Sequence, residues 1–239
     1  MQIDENNDPI LVDELGAING HVSAMVATSS TAIITGSQDC TFRGWEIQDG
    51  QFLGEFNLLT EAPIKCVSIN ETQDLIALGL ANGNVCLYTV DMEGWSFHSR
   101  IECHDAEVLC LSWNKNLLAT GGRDRFVHVI DIDPDNRHEP TRSTIPLKMH
   151  TSIVTAVHWM VNEHDNTARL ITGGIDKALY FMMATSETEY EREKWIQANC
   201  QIYDIKGRLN AYVAMGKLIR SYNVNGELLK EFTFDKTTK

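Results

Sequence analysis

The chain has 239 residues, 43% of them hydrophobic and 22% charged, with a formal net charge of −13. These are the proportions of a globular chain with a true core. The negative charge argues against nucleic acid, whose binding rests on clustered Lys and Arg, and against anionic membrane surfaces; it leaves basic partners open. The opening MQIDENNDPILVDEL has neither the basic nor the apolar region of a leader, and no apolar run reaches the length of a membrane span. The six cysteines are scattered without a C-x-x-C pair. Cys66, Cys86 and Cys110 lie inside apolar alternations, so they read as small buried hydrophobes in a reducing, cytoplasmic setting.

In chain order, residues 1–18 form an acidic start holding one possible strand, ILVDEL (10–15). AIITGSQDCTFRGWEI follows, with small residues leading to Asp39 and then an alternating run. LIALGLANGNVCLYTV repeats this around Asn82, LLATGGRDRFVHVIDID around Asp124, and LITGGIDKALYFMMA around Asp176. A worn copy, NAYVAMGKLIRSYNV, puts Gly216 at the same point. The copies recur at intervals of roughly 40 to 50 residues, the length of a four-stranded unit that stacks on its neighbours. In the third copy the runs EVLCLSW (107–113), LLAT (117–120), FVHVIDI (126–132) and STIPLK (143–148) read as four strands. Period 2 puts Phe126, His128 and Ile130 on one face of the third run and Val127 and Val129 on the other. Residues 185–199, TSETEYEREKWIQAN, suit either a helical turn or a polar outer strand.

With these residues the chain resembles the WD-repeat β-propellers. The resemblance implies an all-β fold of about five recognisable four-stranded blades, at 19–58, 59–101, 102–148, 149–198 and 199–235, with a tail at 236–239. It also implies structural tetrads: a His before the first strand, a Ser/Thr on the second, an Asp in the following turn and a Trp closing the third. The first copy offers His21, Thr35, Asp39 and Trp45; the third His104, Thr120 and Asp124; the fourth His150, Thr172 and Asp176. Only the first keeps all four residue types, and the second and fifth lack both His and Asp. A His, Ser/Thr and Asp set that recurs in three blades reads as scaffold, since a catalytic site is expected once. The resemblance further places the residue before the turn Asp on the binding face. Gln38, Arg123 and Ile175 hold that place, with Arg125 beside them, and Arg123 suits an acidic or phosphorylated peptide. CHDAEVLCLSW and RDRFVHVID resemble the second propeller of the mitogen-activated protein kinase-binding and mitotic spindle-pole WD-repeat scaffolds, which implies kinase signalling or spindle organisation.

No nucleotide motif is present, and His138, His158 and His164 lack metal-ligand spacing, so no cofactor or metal is expected. The acidic runs Asp4–Glu14 and Glu187–Glu193 read as solvated faces. The expected function is a non-enzymatic protein-interaction platform; an inert propeller fragment and a propeller-borne enzyme are the alternatives. Five copies fall short of the usual seven. Three readings stay open: a piece of a longer propeller, an open ring completed by a partner or a second copy, and a smaller closed ring. Open ends, ILVDEL and LLKEFTF, are expected to self-associate.

Overall fold

The computed structural model describes residues 20–234, except 29–31, 49–50, 92–93, 134, 137–138, 162–166, 186–188 and 208. ILVDEL, the acidic start, His138, His164 and Glu187 lie outside the described residues. All the described elements are strands, arranged as five four-stranded antiparallel sheets. Blade 1 comprises β1 (Val22–Ala27), β2 (Ala32–Ser37), β3 (Thr41–Gln48) and β4 (Gln51–Leu59). Blade 2 comprises β5 (Ile64–Ile69), β6 (Leu75–Leu80), β7 (Asn84–Asp91) and β8 (Gly94–Glu102). Blade 3 comprises β9 (Val108–Asn114), β10 (Leu117–Gly122), β11 (Val127–Ile132) and β12 (Thr141–Leu147). Blade 4 comprises β13 (Val154–Val161), β14 (Ala168–Gly174), β15 (Ala178–Ala184) and β16 (Tyr190–Gln197). Blade 5 comprises β17 (Ile202–Lys206), β18 (Ala211–Met215), β19 (Leu218–Tyr222) and β20 (Leu228–Thr233). The polar run at 185–199 thus holds an outer strand, β16, exposed throughout Glu191–Glu193 and at every other residue from there to Gln197.

The first strand of each blade packs on the first strand of the next, from β1 on β5 to β13 on β17, so first strands line the axis and fourth strands lie outside. No comparable contact joins β17 to β1, and the ring of described blades is open. The core lies between sheets. Leu75, Ala77, Val85 and Leu87 of blade 2 meet Leu111, Trp113, Leu118 and Ile130 of blade 3. This burial of both faces explains why second and third strands read as near-continuous apolar runs.

Two adjacent small positions tune that packing. Gly36, Gly79, Gly121 and Gly173 each stand where the second strand touches the next blade. A Cβ there would lie 2.5 Å from Ile64, 2.8 Å from Val108, 2.7 Å from Val154 and 2.6 Å from Ile202, respectively. Beside each glycine a side-chain donor binds a first-strand carbonyl of the next blade. Ser23 donates to Ile64 O, Cys66 to Val108 O at 3.5 Å, Cys110 weakly to Val154 O at 4.0 Å and Thr155 to Ile202 O at 2.5 Å. Gly173→Ala should therefore push blades 4 and 5 apart and cost about 1–2 kcal/mol, the range of core overpacking. A urea midpoint equal to the parent's would contradict this close approach.

Candidate functional site

Each of the first four blades turns from its second to its third strand through the same tight loop. In blade 3 Arg125 N–H donates to Gly122 O at 3.3 Å, and Arg125 takes φ +77°. Cys40, Gly83 and Lys177 take the same left-handed backbone directly after Asp39, Asn82 and Asp176. This is a type I turn closed by a left-handed residue. In blade 5 Gly216 itself has φ +56°. Ala214 pairs with Ile219 and Met215 with Leu218, so blade 5 turns on two residues, Gly216 and Lys217, where the other blades use three.

The turn acids of blades 3 and 4 are held by the expected histidines. His104 Nδ1–H lies 2.9 Å from Asp124 Oδ1, and its Nε2 is 2.8 Å from Thr120 Oγ1. Asp124 also accepts from Asp105 N–H and Phe126 N–H at 3.1 Å each. Blade 4 repeats the set. His150 is 3.1 Å from Asp176 and 2.9 Å from Thr172, and Asp176 accepts from Thr151 N–H at 2.8 Å and Ala178 N–H at 3.2 Å. Burial alone would raise the Asp124 carboxyl. The His104 hydrogen bond and the Phe126 amide outweigh it and hold Asp124 below the usual range. The Trp position is Ile130 and Met182 here, so these networks end at the threonine.

Blade 1, complete by residue type, is not complete in space. Trp45 Nε1–H donates to Thr35 Oγ1 at 2.9 Å, but His21 is exposed. Asp39 instead accepts from Thr41 N–H at 2.9 Å and meets Arg43 at 3.5 Å. The cause is the residue that ends the second strand. In blades 3 and 4 it is Gly122 and Gly174. A Cβ on Gly174 would sit 3.0 Å from His150 Nδ1, and one on Gly122 would sit 2.6 Å from Asp124. Blade 1 has Ser37 there, so no room remains for the ring; its hydroxyl donates to His21 O at 3.1 Å and accepts from Asp39 N–H at 3.2 Å. Gly122→Ser should accordingly displace His104 and cost about 1–2 kcal/mol. Unchanged stability would show that the ring tolerates a Cβ.

Blade 2 inverts the polarity of the network. The turn supplies a donor, Asn82 Nδ2, and the preceding loop supplies an acid, Glu61, at 2.9 Å. Asn84 and Arg100 complete Glu61 at 2.6 and 3.0 Å, and their hydrogen bonds, Asn84's first, hold its carboxyl below the usual range. Glu61 was not singled out in the sequence. Its separation from Asn82, 21 residues against 20 for His104 and Asp124, is the signal that could have found it.

The residues expected on the binding face sit on one rim. Gln38, Ala81, Arg123 and Ile175 each donate a backbone N–H to the residue that opens their blade: His21, Pro63, Glu107 and Ile153, at 2.9–3.0 Å. Arg123 does not present a bare cation: its guanidinium is 2.7 Å from Glu107, whose other oxygen is 3.0 Å from Lys65. The trio keeps one net positive charge. Gln38, Arg123 and Arg125 are exposed, and Ile175 is half-buried beside Ile153.

Below this rim His128 opposes Thr120 across the strands and meets His104 edge-to-face at 4.6 Å. It lines a cleft of about 230 Å³ with Cys103, Asp105, Phe126 and Pro146. Donor atoms of His104, Asp124 and His128 lie within 4.8 Å of one another. His104 already uses both nitrogens, so a metal there would have to break the blade's own network. The six cysteines are unpaired thiols, and burial pushes Cys66 and Cys103 up to about 12.

Comparison with known proteins meets this geometry at one segment. Residues 95–131 match the family described as WD domain, G-beta repeat (WD40). That span runs from the outer strand of blade 2 through the third strand of blade 3. The chain has the fold of a WD40 β-propeller, with its described ring unclosed. It is 29% identical to the mouse (Mus musculus) mitogen-activated protein kinase-binding protein 1 over 174 residues, 68% of this chain and 11% of that protein. It is 28% identical to the pig (Sus scrofa) WD repeat-containing protein 62 over 183 residues, 71% of this chain and 11% of that protein. The array thus spans about a tenth of the length of these relatives. Among solved structures, the WD40 β-propeller domain of Doa1 superposes with a TM-score of 0.74 at 16% identity, over 95% of this chain and 73% of that one. A chain of the mitotic checkpoint complex does so with a TM-score of 0.67 at 17% identity, over 98% and 74%. These two likenesses concern the fold.

Proposed function

We propose that the array is a non-enzymatic protein-interaction platform that binds through the rim carrying Gln38, Arg123 and Ile175. The observation that carries this reading is the use of the acid and histidine groups. Asp124 with His104 and Asp176 with His150 are consumed in holding turns, twice over and in the same way, which leaves the rim side chains to differ from blade to blade. Loops on a rigid frame are where binding is built. The rim offers Arg123 and Arg125 on blade 3 and an apolar Ile153 and Ile175 on blade 4, a surface suited to an acidic or phosphorylated peptide with a neighbouring apolar residue. The Glu107 pair does not block this, because an exposed ion pair is worth under about 1 kcal/mol and a phosphate makes stronger bidentate bonds to Arg. The names of the relatives, one a kinase-binding protein, direct the choice of candidate partners to kinase assemblies.

Arg123→Glu should weaken retained phosphoserine or acidic peptides about tenfold and leave the unfolding midpoint within about 0.5 kcal/mol of the parent, as for a surface change. Fluorescence anisotropy on a panel of phosphorylated and unphosphorylated peptides reads this out. Equal binding by parent and variant would remove Arg123 from the site.

A further inference from the structure

In four blades an arginine of the chain stands where the third and fourth strands pass below the turn. In blade 1 it is Arg43, which pairs with Thr35 across the strands and lies 3.5 Å from Asp39. In blade 2 it is Arg100, which pairs with Cys86 and lies 3.0 Å from Glu61. In blade 4 the Arg192 guanidinium lies over the Tyr180 ring, 6.0 Å from its centre. In blade 5 Arg220 is 2.7 Å from Glu231. Three of the four meet a carboxylate, and the fourth an aromatic face.

Blade 3 has the same place, and among the described residues no arginine stands in it. The row there runs from Thr120 through His128 to Pro146. These are short side chains, and what they leave open is the cleft of about 230 Å³. Its walls keep the groups that the arginines use elsewhere. Phe126 and His128 bring two rings, 6.0 Å apart. Asp105, which is exposed, and Asp124 bring two carboxylates. A carboxylate offers about four acceptor positions. His104, Asp105 N–H and Phe126 N–H engage Asp124, which leaves it able to accept once more. Burial pushes His128 down to about 4, so at neutral pH its ring does not repel a cation. Two cations of the chain stand nearby without lining the cleft. Lys148 Nζ is 5.5 Å from the centre of the Phe126 ring, and Arg125 Nε faces Asp124 O at 3.4 Å.

We propose that this cleft receives an arginine side chain of a partner protein. The guanidinium enters beside the Phe126 and His128 rings, pairs with Asp105 and Asp124, and takes the place that the chain's own arginines hold in the other four blades. Arginine is preferred to lysine because its planar fork both stacks on a ring and pairs with a carboxylate. The net charge of −13 favours the approach of such a basic segment.

Titration of the whole chain with N-acetyl-arginine methylamide, followed by the NMR signals of its histidine and phenylalanine rings, tests this. The citrulline compound, neutral and of the same shape, is the control. The His128 and Phe126 signals should move and saturate with the arginine probe, and the citrulline probe should bind about tenfold more weakly, as for the loss of a charged hydrogen bond. His128→Arg fills the cleft with the chain's own guanidinium and should abolish the movement of Phe126. Asp105→Asn keeps the backbone N–H that holds Asp124 and should weaken the arginine probe about threefold. Signals that stay still, or that move equally with both probes, would overturn the proposal, and so would an unchanged affinity in either variant. Should His128→Arg fail to fold, Asp105→Asn decides. The probe carries no acidic group for Arg123, so the outcome is independent of the rim reading.

Discussion

Asp176→Ala and Asp124→Ala should each lower stability by about 3 kcal/mol, while Asp39→Ala should cost about 1 kcal/mol. The difference comes from what each carboxylate holds. Removing Asp176 leaves His150, Thr151 N–H and Ala178 N–H without their acceptor. Each buried donor left unsatisfied costs about 1–3 kcal/mol, and the losses overlap because the three share one site. His150 is also the link to Thr172 on the second strand, so the turn and the strand loosen together. Asp124 stands in the same position toward His104 and Thr120. Asp39 accepts from the amide and hydroxyl of Thr41 and meets Arg43 within its own turn, and His21 is exposed where Ser37 fills the place of the ring. Urea unfolding of the three variants at neutral pH ranks them. A loss for Asp39→Ala as large as for Asp176→Ala would mean that His21 reaches the turn after all.

Acid should weaken the fold between about pH 6.5 and pH 4, and His128 should account for about 2 kcal/mol of the loss. Burial, and next the neighbouring His104, push His128 down to about 4, with Asp124 and Asp105 opposing. Burial likewise lowers His104 and His158. A histidine whose folded value lies below its unfolded value of about 6.5 is neutral in the folded state while the unfolded chain takes up a proton, so stability falls as pH falls through that window. The fall levels off below the folded value. The full separation for His128 corresponds to about 3 kcal/mol, which partial solvent access reduces to about 2 kcal/mol. Blade 4 shows what the position tolerates. Tyr180 stands opposite Thr172, packs edge-to-face on His150 at 4.9 Å and donates its hydroxyl to Met149 O at 3.1 Å. In blade 3 the residue before the histidine is Cys103, and His128 Nδ1 is buried without a partner. His128→Tyr should therefore raise stability at pH 7 by about 1 kcal/mol through the added hydrogen bond and flatten the loss between pH 6.5 and 4. A midpoint-against-pH curve as steep as the parent's would show that the acid response lies elsewhere.

The repeat was legible because it is written in turn chemistry. A small residue, then Asp or Asn, then a left-handed residue fixes each hairpin locally, and the apolar strands after it follow from burial on both sides. What the copies do in space depends on one neighbouring residue. TGG before the turn leaves room for the histidine, as at Gly122 and Gly174; TGS does not, and so His21 was misplaced although all four tetrad types were present. The first glycine of each pair serves a different need, the approach of the next blade, and that need is invisible until two sheets are packed. Asn82 was readable as a turn residue, but its partner Glu61 was not, because a His is expected there, whereas the physical requirement is one donor and one acceptor about 20 to 26 residues apart. Arg123 was readable as a rim residue; its pairing with Glu107 and Lys65 joins residues far apart in sequence.

The central claim, that the chain works by binding proteins on the rim of its second-to-third-strand turns, is tested most directly by site-specific photocrosslinking. A photoreactive side chain is placed at Gln38 or Arg123 on that rim, and at Asn116 in the turn between β9 and β10, at the other end of the strands. With cell extract, the account predicts discrete protein adducts from Gln38 and Arg123 that are absent from Asn116 and are suppressed when an excess of unmodified chain is added. The same adducts from both rims, or none from Gln38 and Arg123, would contradict it.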